Sequence, residues 1–354
     1  MWPLETNDIE QLHFDLTNFC NAKCPECVRE IDDYCWPFLD KDMLSLDLIR
    51  ERFTKEQLPR LNYVRFCGSF GDPLTHPKLY EITKHFIDEW PNIKIVCSTN
   101  GGLKNTNTWN RLAELYTGKR WMVFGIDGLE DTNHLYRVGV NWKKLQENFR
   151  AFIKAGGHAQ WQYIVFPWNE HQFMDARSFS IDEGFYAFFI IKSHRNSDVN
   201  NKYSDKNYIQ MQYDLLEKIS KKRENKVNDL DDYEIIKKDP TRKILPPNTT
   251  DINCEAIGHR DIMIMATGEV YPCCHLGARM FSPDPKLELW REMAGGRSTF
   301  NLKNHTMDEI IKGKFFTLIH NSWALPKENN LSSCKGCIQS CANNQEGIDK
   351  RYVL

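Results

Sequence analysis

The sequence predicts an α/β protein: a partial (β/α)6 TIM-like barrel followed by a small C-terminal unit made of a β-hairpin plus a helix. Two observations carry this. Over the first 190 residues, short β-branched or aromatic runs alternate with longer amphipathic stretches, the pattern of repeated βα units. Beyond residue 250 a single hairpin pattern and a single helix pattern remain.

The six strand candidates cover 12–16, 63–67, 93–98, 121–126, 160–166 and 186–191. Between them LSLDLIRERF, KLYEITKHFIDEW, TNTWNRLAELY and WKKLQENFRAFIKAGG have helical spacing, the last closed by Gly156 and Gly157 in C-cap position. Right-handed crossovers make six such units an open barrel, two short of eight, with active groups at the strand ends. Residues 194–253 are rich in Lys, Asp and Asn, broken at Pro246–Pro247, and read as a connector containing one helix, YIQMQYDLLEKISKKREN. DIMIMATGEVYPCC then reads as a hairpin turning at Thr267–Gly268, and TMDEIIKGKFFTLIHNSW as one helix capped by Thr306. The expected organisation is 1–195 for the barrel, 196–250 for the connector and 251–354 for the C-terminal domain.

Composition narrows the function. Of 354 residues, 41% are hydrophobic and 27% charged, and the net charge is −2, so no positive field draws the chain to nucleic acid or anionic membrane. No secretory signal and no bilayer-length apolar run are visible, which predicts a cytoplasmic protein. Twelve cysteines in a reducing compartment call for metal or catalysis. Three lie at 20, 24 and 27, three singly at 35, 67 and 97, and six beyond residue 253, which suggests two metal-bearing regions.

CNAKCPEC has C-x3-C-x2-C spacing directly after the first strand. Cys20, Cys24 and Cys27 can hold three corners of a cubane cluster, leaving one iron open for a chelating cofactor. A zinc knuckle is the competing reading, although zinc sites close at four ligands. Cys35, Cys67 and Cys97 read as small buried hydrophobes, and His13 and His76 as structural.

LTNFCNAKCPECVRE resembles the cluster-binding loop of the radical S-adenosylmethionine superfamily. That resemblance implies a 4Fe–4S cluster and S-adenosylmethionine, whose one-electron cleavage gives a 5′-deoxyadenosyl radical that abstracts a substrate hydrogen. Glu26 departs from the family pattern, which often has a large apolar residue there. CGSFGDPLTHP is similar to the family's Gly-Gly-Glu-Pro element, which implies cofactor contacts at Gly71, Asp72 and Pro73. STNGG resembles a Thr-Asn-Gly stretch near the cofactor, pointing to Thr99 and Asn100. FGIDGLEDTNHLYR resembles a Ser-Ile-Asp-Gly…Tyr-Arg segment with Gly125 in place of the serine; it implicates Asp127, and Arg137 as partner of the cofactor carboxylate.

The C-terminal cysteines resemble SPASM and twitch extensions, so the C-terminal unit is twitch/SPASM-like and implies a second, auxiliary 4Fe–4S cluster. Its expected ligands are Cys254, Cys273, Cys334 and Cys337, with Cys341 as substitute and one of Cys273 and Cys274 spare. The function implied is a radical enzyme, with the auxiliary cluster relaying electrons and a flavodoxin- or ferredoxin-type protein as electron donor. The substrate is a small molecule, a sugar or a peptide; about ten residues before the first strand tilt this toward a small molecule or a leader-independent target. A peptide-maturing radical enzyme and a non-catalytic zinc-binding interaction protein are the alternatives. Trp161, Tyr163 and His194 are pocket candidates by position, and a nucleic-acid substrate is not expected.

Overall fold

The computed structural model describes residues 2–25, 27, 29, 40–166, 168–192, 254–279, 291–323 and 351–353. Among the described residues nine strands form one sheet in the order β8-β7-β1-β2-β3-β4-β5-β6-β9. The six barrel strands are β1 (Gln11–Phe14), β2 (Tyr63–Phe66), β3 (Lys94–Thr99), β4 (Arg120–Gly125), β5 (Ala159–Val165) and β6 (Ala187–Lys192), all parallel and in sequence order. Each matches its expected run to within two residues.

The helices between them are α1 (Leu46–Arg52), α2 (Leu79–Glu89), α3 (Thr106–Ala113), the single turn α4 (Asn133–Tyr136), α5 (Trp142–Lys154) and α6 (Phe173–Asp182). Their starts are written in the sequence. Ser45, Asn105 and Asn141 each place a side-chain oxygen on a free N–H of the first turn. At the end of α5, Gly156 takes φ +88° and the Gly157 N–H returns to the Phe152 carbonyl, the glycine stop that the pattern predicts.

Strand alternation divides the side chains between two faces. Phe14, Phe66, Phe124 and Trp161 point to the helices, where Phe53, Phe86, Trp109, Phe149 and Phe152 meet them at ring spacings of 5.1 to 6.4 Å. The alternate positions line the interior: His13 and Asp15, then Arg65 and Cys67, Val96 and Ser98, Val123 and Gly125, Gln160 and Gln162. Trp161 and Tyr163 are therefore core residues rather than pocket walls. Both are fully buried on the helix side, the Trp161 Nε1 donating to the Ile126 carbonyl and the Tyr163 hydroxyl to that of Asn169. A slip of one position in a strand reverses the face, and position along the chain could not supply that register.

The C-terminal hairpin joins the barrel sheet. β7 (Asp261–Ile264) pairs parallel with β1, β8 (Val270–Tyr271) pairs antiparallel with β7, and Gly268 takes φ +96° in the turn. β9 (Arg351–Val353) closes the other edge, antiparallel to β6. Two short helices flank the hairpin, α7 (Glu255–His259) and α8 (Cys274–Arg279). The single helix expected after Thr306 is two. A Thr306–Glu309 capping box opens α9 (Met307–Lys312), but Gly313 adopts an extended ψ of 173° and starts α10 (Lys314–Ser322). The connector, its helix, Cys35, Glu26 and His194 lie outside the described residues. No helix among the described residues is long and apolar enough to cross a membrane.

Candidate functional site

The loop leaving β1 carries Cys20, Cys24 and Cys27 as thiols, Cys24 buried and the other two half-buried. It is fastened to the ends of three neighbouring strands. Gly71, after β2, packs backbone to backbone against it: a Cβ there would stand 1.9 Å from the Thr17 carbonyl oxygen. The Asp72 N–H donates to the Phe19 carbonyl at 2.8 Å, and the Lys23 N–H to that of Val138.

Asp72 is 3% exposed, and its carboxylate knits the ends of β2 and β3 together. It accepts from the Leu74 N–H, from the Asn100 N–H at 2.8 Å, and from the Thr99 hydroxyl on both oxygens at 2.9 and 3.0 Å. Those contacts account for its acceptor sites. Burial raises its carboxyl above the ordinary range, and the three donors oppose that rise. Pro73 opens the short turn that follows. Asn100 in turn reaches the cysteine loop: its Nδ2 donates to Asn21 at 2.8 Å and lies 3.7 Å from the Cys20 sulfur.

At the end of β4, Asp127 is fully buried and accepts from the Arg137 Nε at 2.6 Å and from the Ile164 N–H at 2.7 Å. The other arm of Arg137 points at Cys24, with Nη1 3.8 Å from the sulfur. Gly125, where the resembling segment has serine, is explained by this arginine. A Cβ at 125 would meet the Arg137 Nη2 at 2.5 Å.

Cys20 and Cys24 thus carry N–H donors aimed at sulfur, which suits thiolate ligands better than neutral thiols. Burial pushes the Cys20 thiol up to about 11, with Asp72 adding to the rise; burial also raises Cys24, against the pull of Arg137. Loading iron there releases protons. Among the described residues, no three His, Cys, Asp or Glu side chains converge on a point that one ion could fill. A cubane does not need such convergence, because each thiolate binds a different iron. The residues present fit a 4Fe–4S cluster.

Of the auxiliary set, Cys254 is buried ahead of α7 and Cys273 half-buried ahead of α8, while Cys334, Cys337 and Cys341 lie outside the described residues. Cys274 shares its surroundings with Asp261, Arg65 and Asp15 in the barrel interior. Cys97 is the buried thiol expected, but Cys67 is not: it faces the half-open interior, touching the His13 Nε2 and lying 3.8 Å from the Ser69 hydroxyl. His76 is structural, bonded to the Leu44 carbonyl and the Lys78 N–H.

Three asparagines escaped sequence reasoning. Asn148 on α5 donates to the Gly101 and Leu103 carbonyls and holds the β3 loop. Asn133 accepts from the Asp127 N–H, and Asn169 donates to the Asp127 carbonyl. No local motif marks them; buried polar residues on otherwise apolar elements were the available signal.

The profile of the radical SAM superfamily matches residues 14–179, and that of an iron–sulfur cluster-binding domain, SPASM, matches residues 254–338. GTP 3′,8-cyclase of Microcystis aeruginosa is 24% identical over 192 residues, 52% of this chain and 56% of that protein, so the chain spans little more than half the length of this curated relative. Two solved structures share the fold at 16% identity. Native anSMEcpe with bound AdoMet and Cp18Cys peptide has a TM-score of 0.57 over 96% of this chain and 92% of its own. Streptococcus suis SuiB bound to S-adenosylmethionine has 0.53 over 80% and 65%. Both domains imply 4Fe–4S clusters, and both of these structures hold S-adenosylmethionine. The chain belongs to the radical SAM superfamily and carries a C-terminal SPASM iron–sulfur domain.

Proposed function

We propose that the protein uses S-adenosylmethionine to start radical chemistry on a small molecule, a sugar or a peptide, with Cys20, Cys24 and Cys27 as ligands of the working cluster. The observation that carries this is the crescent of strand-end groups joined to two of those sulfurs, through Asn100 to Cys20 and through Arg137 to Cys24. When bound, the cluster and S-adenosylmethionine supply one-electron cleavage of the sulfonium and a primary carbon radical that takes a hydrogen atom from the substrate.

The chain's own residues prepare that chemistry. Asn100 and Arg137 set hydrogen-bond donors and a positive charge beside the sulfurs, which favours their thiolate forms and tunes the cluster. Asp72 and Asp127 fix the strand ends on which a cofactor would rest, with Gly71, Pro73, Thr99 and Asn100 forming the surface between them. The fully buried aromatic wall behind the strands keeps water from that side. In the C-terminal domain, Cys254, Cys273, Cys334 and Cys337, or Cys341 in exchange, would hold an auxiliary cluster that relays electrons, with a flavodoxin- or ferredoxin-type donor supplying the first. Cys274 stands apart from this set because its surroundings belong to the barrel.

Anaerobic reconstitution should load about eight irons per chain, two cubanes' worth, and give 5′-deoxyadenosine on reduction with S-adenosylmethionine. Cys24→Ala should retain about half the iron and yield no nucleoside. Wild-type protein that binds zinc in place of iron, or that forms no 5′-deoxyadenosine, would end this reading.

A further inference from the structure

Val64 and Phe66 face the helices, so β2 presents Tyr63, Arg65 and Cys67 to the barrel interior. Arg65 stands opposite His13 on β1 and Val96 on β3, one step below Cys67 on that face. That is about 7 Å down the strand from the level where the cofactor-bearing loop begins.

A guanidinium offers five N–H donors in a planar fork. Among the described residues, Arg65 uses them once, from Nη2 to the Tyr63 hydroxyl at a long 3.4 Å. Its Nε is buried and meets no hydrogen-bond partner among the described residues. Two other arginines of the molecule are paired closely. Arg137 grips Asp127 at 2.6 Å, and Arg150 takes Glu183 with both arms at 2.8 and 2.5 Å. Asp261 on β7 is the acidic neighbour of Arg65 across the interior, yet it accepts no hydrogen bond from it among the described residues.

A charged fork kept inside a protein with idle donors is costly unless something pairs with it. The surroundings suit an added ligand. Arg65, Ser98 and Gln162 are only half-buried although they face inward, and the Tyr63 hydroxyl, accepting from Arg65, keeps its own proton to donate. Planar, bidentate partners for such a fork are carboxylates and phosphates.

We propose that Arg65 anchors an anionic group, a carboxylate or a phosphate, of a small-molecule substrate held inside the barrel. The anion sits below the strand ends and the rest of the molecule extends toward the cofactor site, which orients one C–H for abstraction. The catalytic purpose rests on the radical reading; the anion site rests on Arg65 and its unpaired donors.

The test is thermal melting and calorimetric titration of the cluster-loaded protein with inorganic phosphate and with acetate, against chloride at equal ionic strength. One of the two anions should raise the melting temperature with saturation, phosphate or acetate naming the class. Arg65→Met should weaken that anion about 10–100-fold, as loss of a charge-assisted pair does. Arg65→Lys should fall between, keeping the charge but not the fork. Lys84→Met, on the outer face of α2, should respond as wild type. Near-UV circular dichroism checks that Arg65→Met is folded; if it is not, Arg65→Lys decides, and an undiminished affinity there overturns the proposal. So does a wild type that neither anion shifts beyond chloride. Wild type that binds the anion but forms no 5′-deoxyadenosine would sink the radical reading and leave the anion site standing.

Discussion

The two faces of the same strands differ in kind. Toward the helices β1 to β5 present Leu12, Phe14, Val64, Phe66, Ile95, Phe124 and Trp161, each almost fully buried. Toward the interior they present His13, Asp15, Arg65, Cys67, Ser98, Gln160 and Gln162, of which Arg65, Cys67, Ser98 and Gln162 keep partial access to solvent. The first face supplies folding free energy through apolar burial. The second is a poor core, because a polar lining must find partners or be desolvated at a loss. Such a lining suits a ligand that pairs with it, and the ends of those strands carry the cysteine loop and its bracing carboxylates.

The contrast breaks if mutations on the two faces cost the same. Phe124→Ala removes a ring that packs on Trp109, Phe149, Phe152 and Phe185 and should destabilise by about 3–5 kcal/mol in denaturant unfolding. Gln162→Ala, one residue from Trp161 but inward and half-buried, should cost less than about 1 kcal/mol. Equal losses would mean that the interior is a second core. Gly125→Ser sharpens the same point where the interior meets the site. Its Cβ collides with Arg137, so stability should fall by about 1–3 kcal/mol as the Asp127 pair loosens. A crystal structure should show Arg137 displaced from Cys24; an unmoved arginine would remove the explanation given for this glycine.

The sequence disclosed one face better than the other. Periodicity located all six barrel strands, since β-branched and aromatic runs bounded by capped helices are local signals. The cysteine loop was legible because C-x3-C-x2-C spacing is local chemistry. Face assignment was not, as Trp161 and Tyr163 show: only packing against α5 and α6 fixes which alternate set turns inward. Nor could local pattern show that β7 would pair with β1, or that Asn100 and Arg137 would reach sulfurs 80 and 113 residues away in the chain. Gly313 is a local signal for the break, but the apolar spacing that continues across it hides that signal.

Asp15 offers the finest test of the inner face. Its carboxyl is fully buried beside Cys67, and burial pushes it up to about 8, against the pull of donors from Ser69 and Phe70. The Ser69 N–H meets Oδ1 at 2.9 Å. An unfolded chain releases this proton near pH 4, the folded one near 8, so between those values the folded state binds more protons. Its contribution to stability must then fall as pH rises from about 4 to 8 and level off above that. Asp15→Asn keeps an oxygen for the Ser69 N–H and cannot ionise. The difference in unfolding free energy between the variant and wild type should be smallest at about pH 4 and grow in favour of the variant toward pH 8. A difference independent of pH across that range would show that Asp15 is ionised in the folded barrel, and that the inner face is wetter than its burial implies.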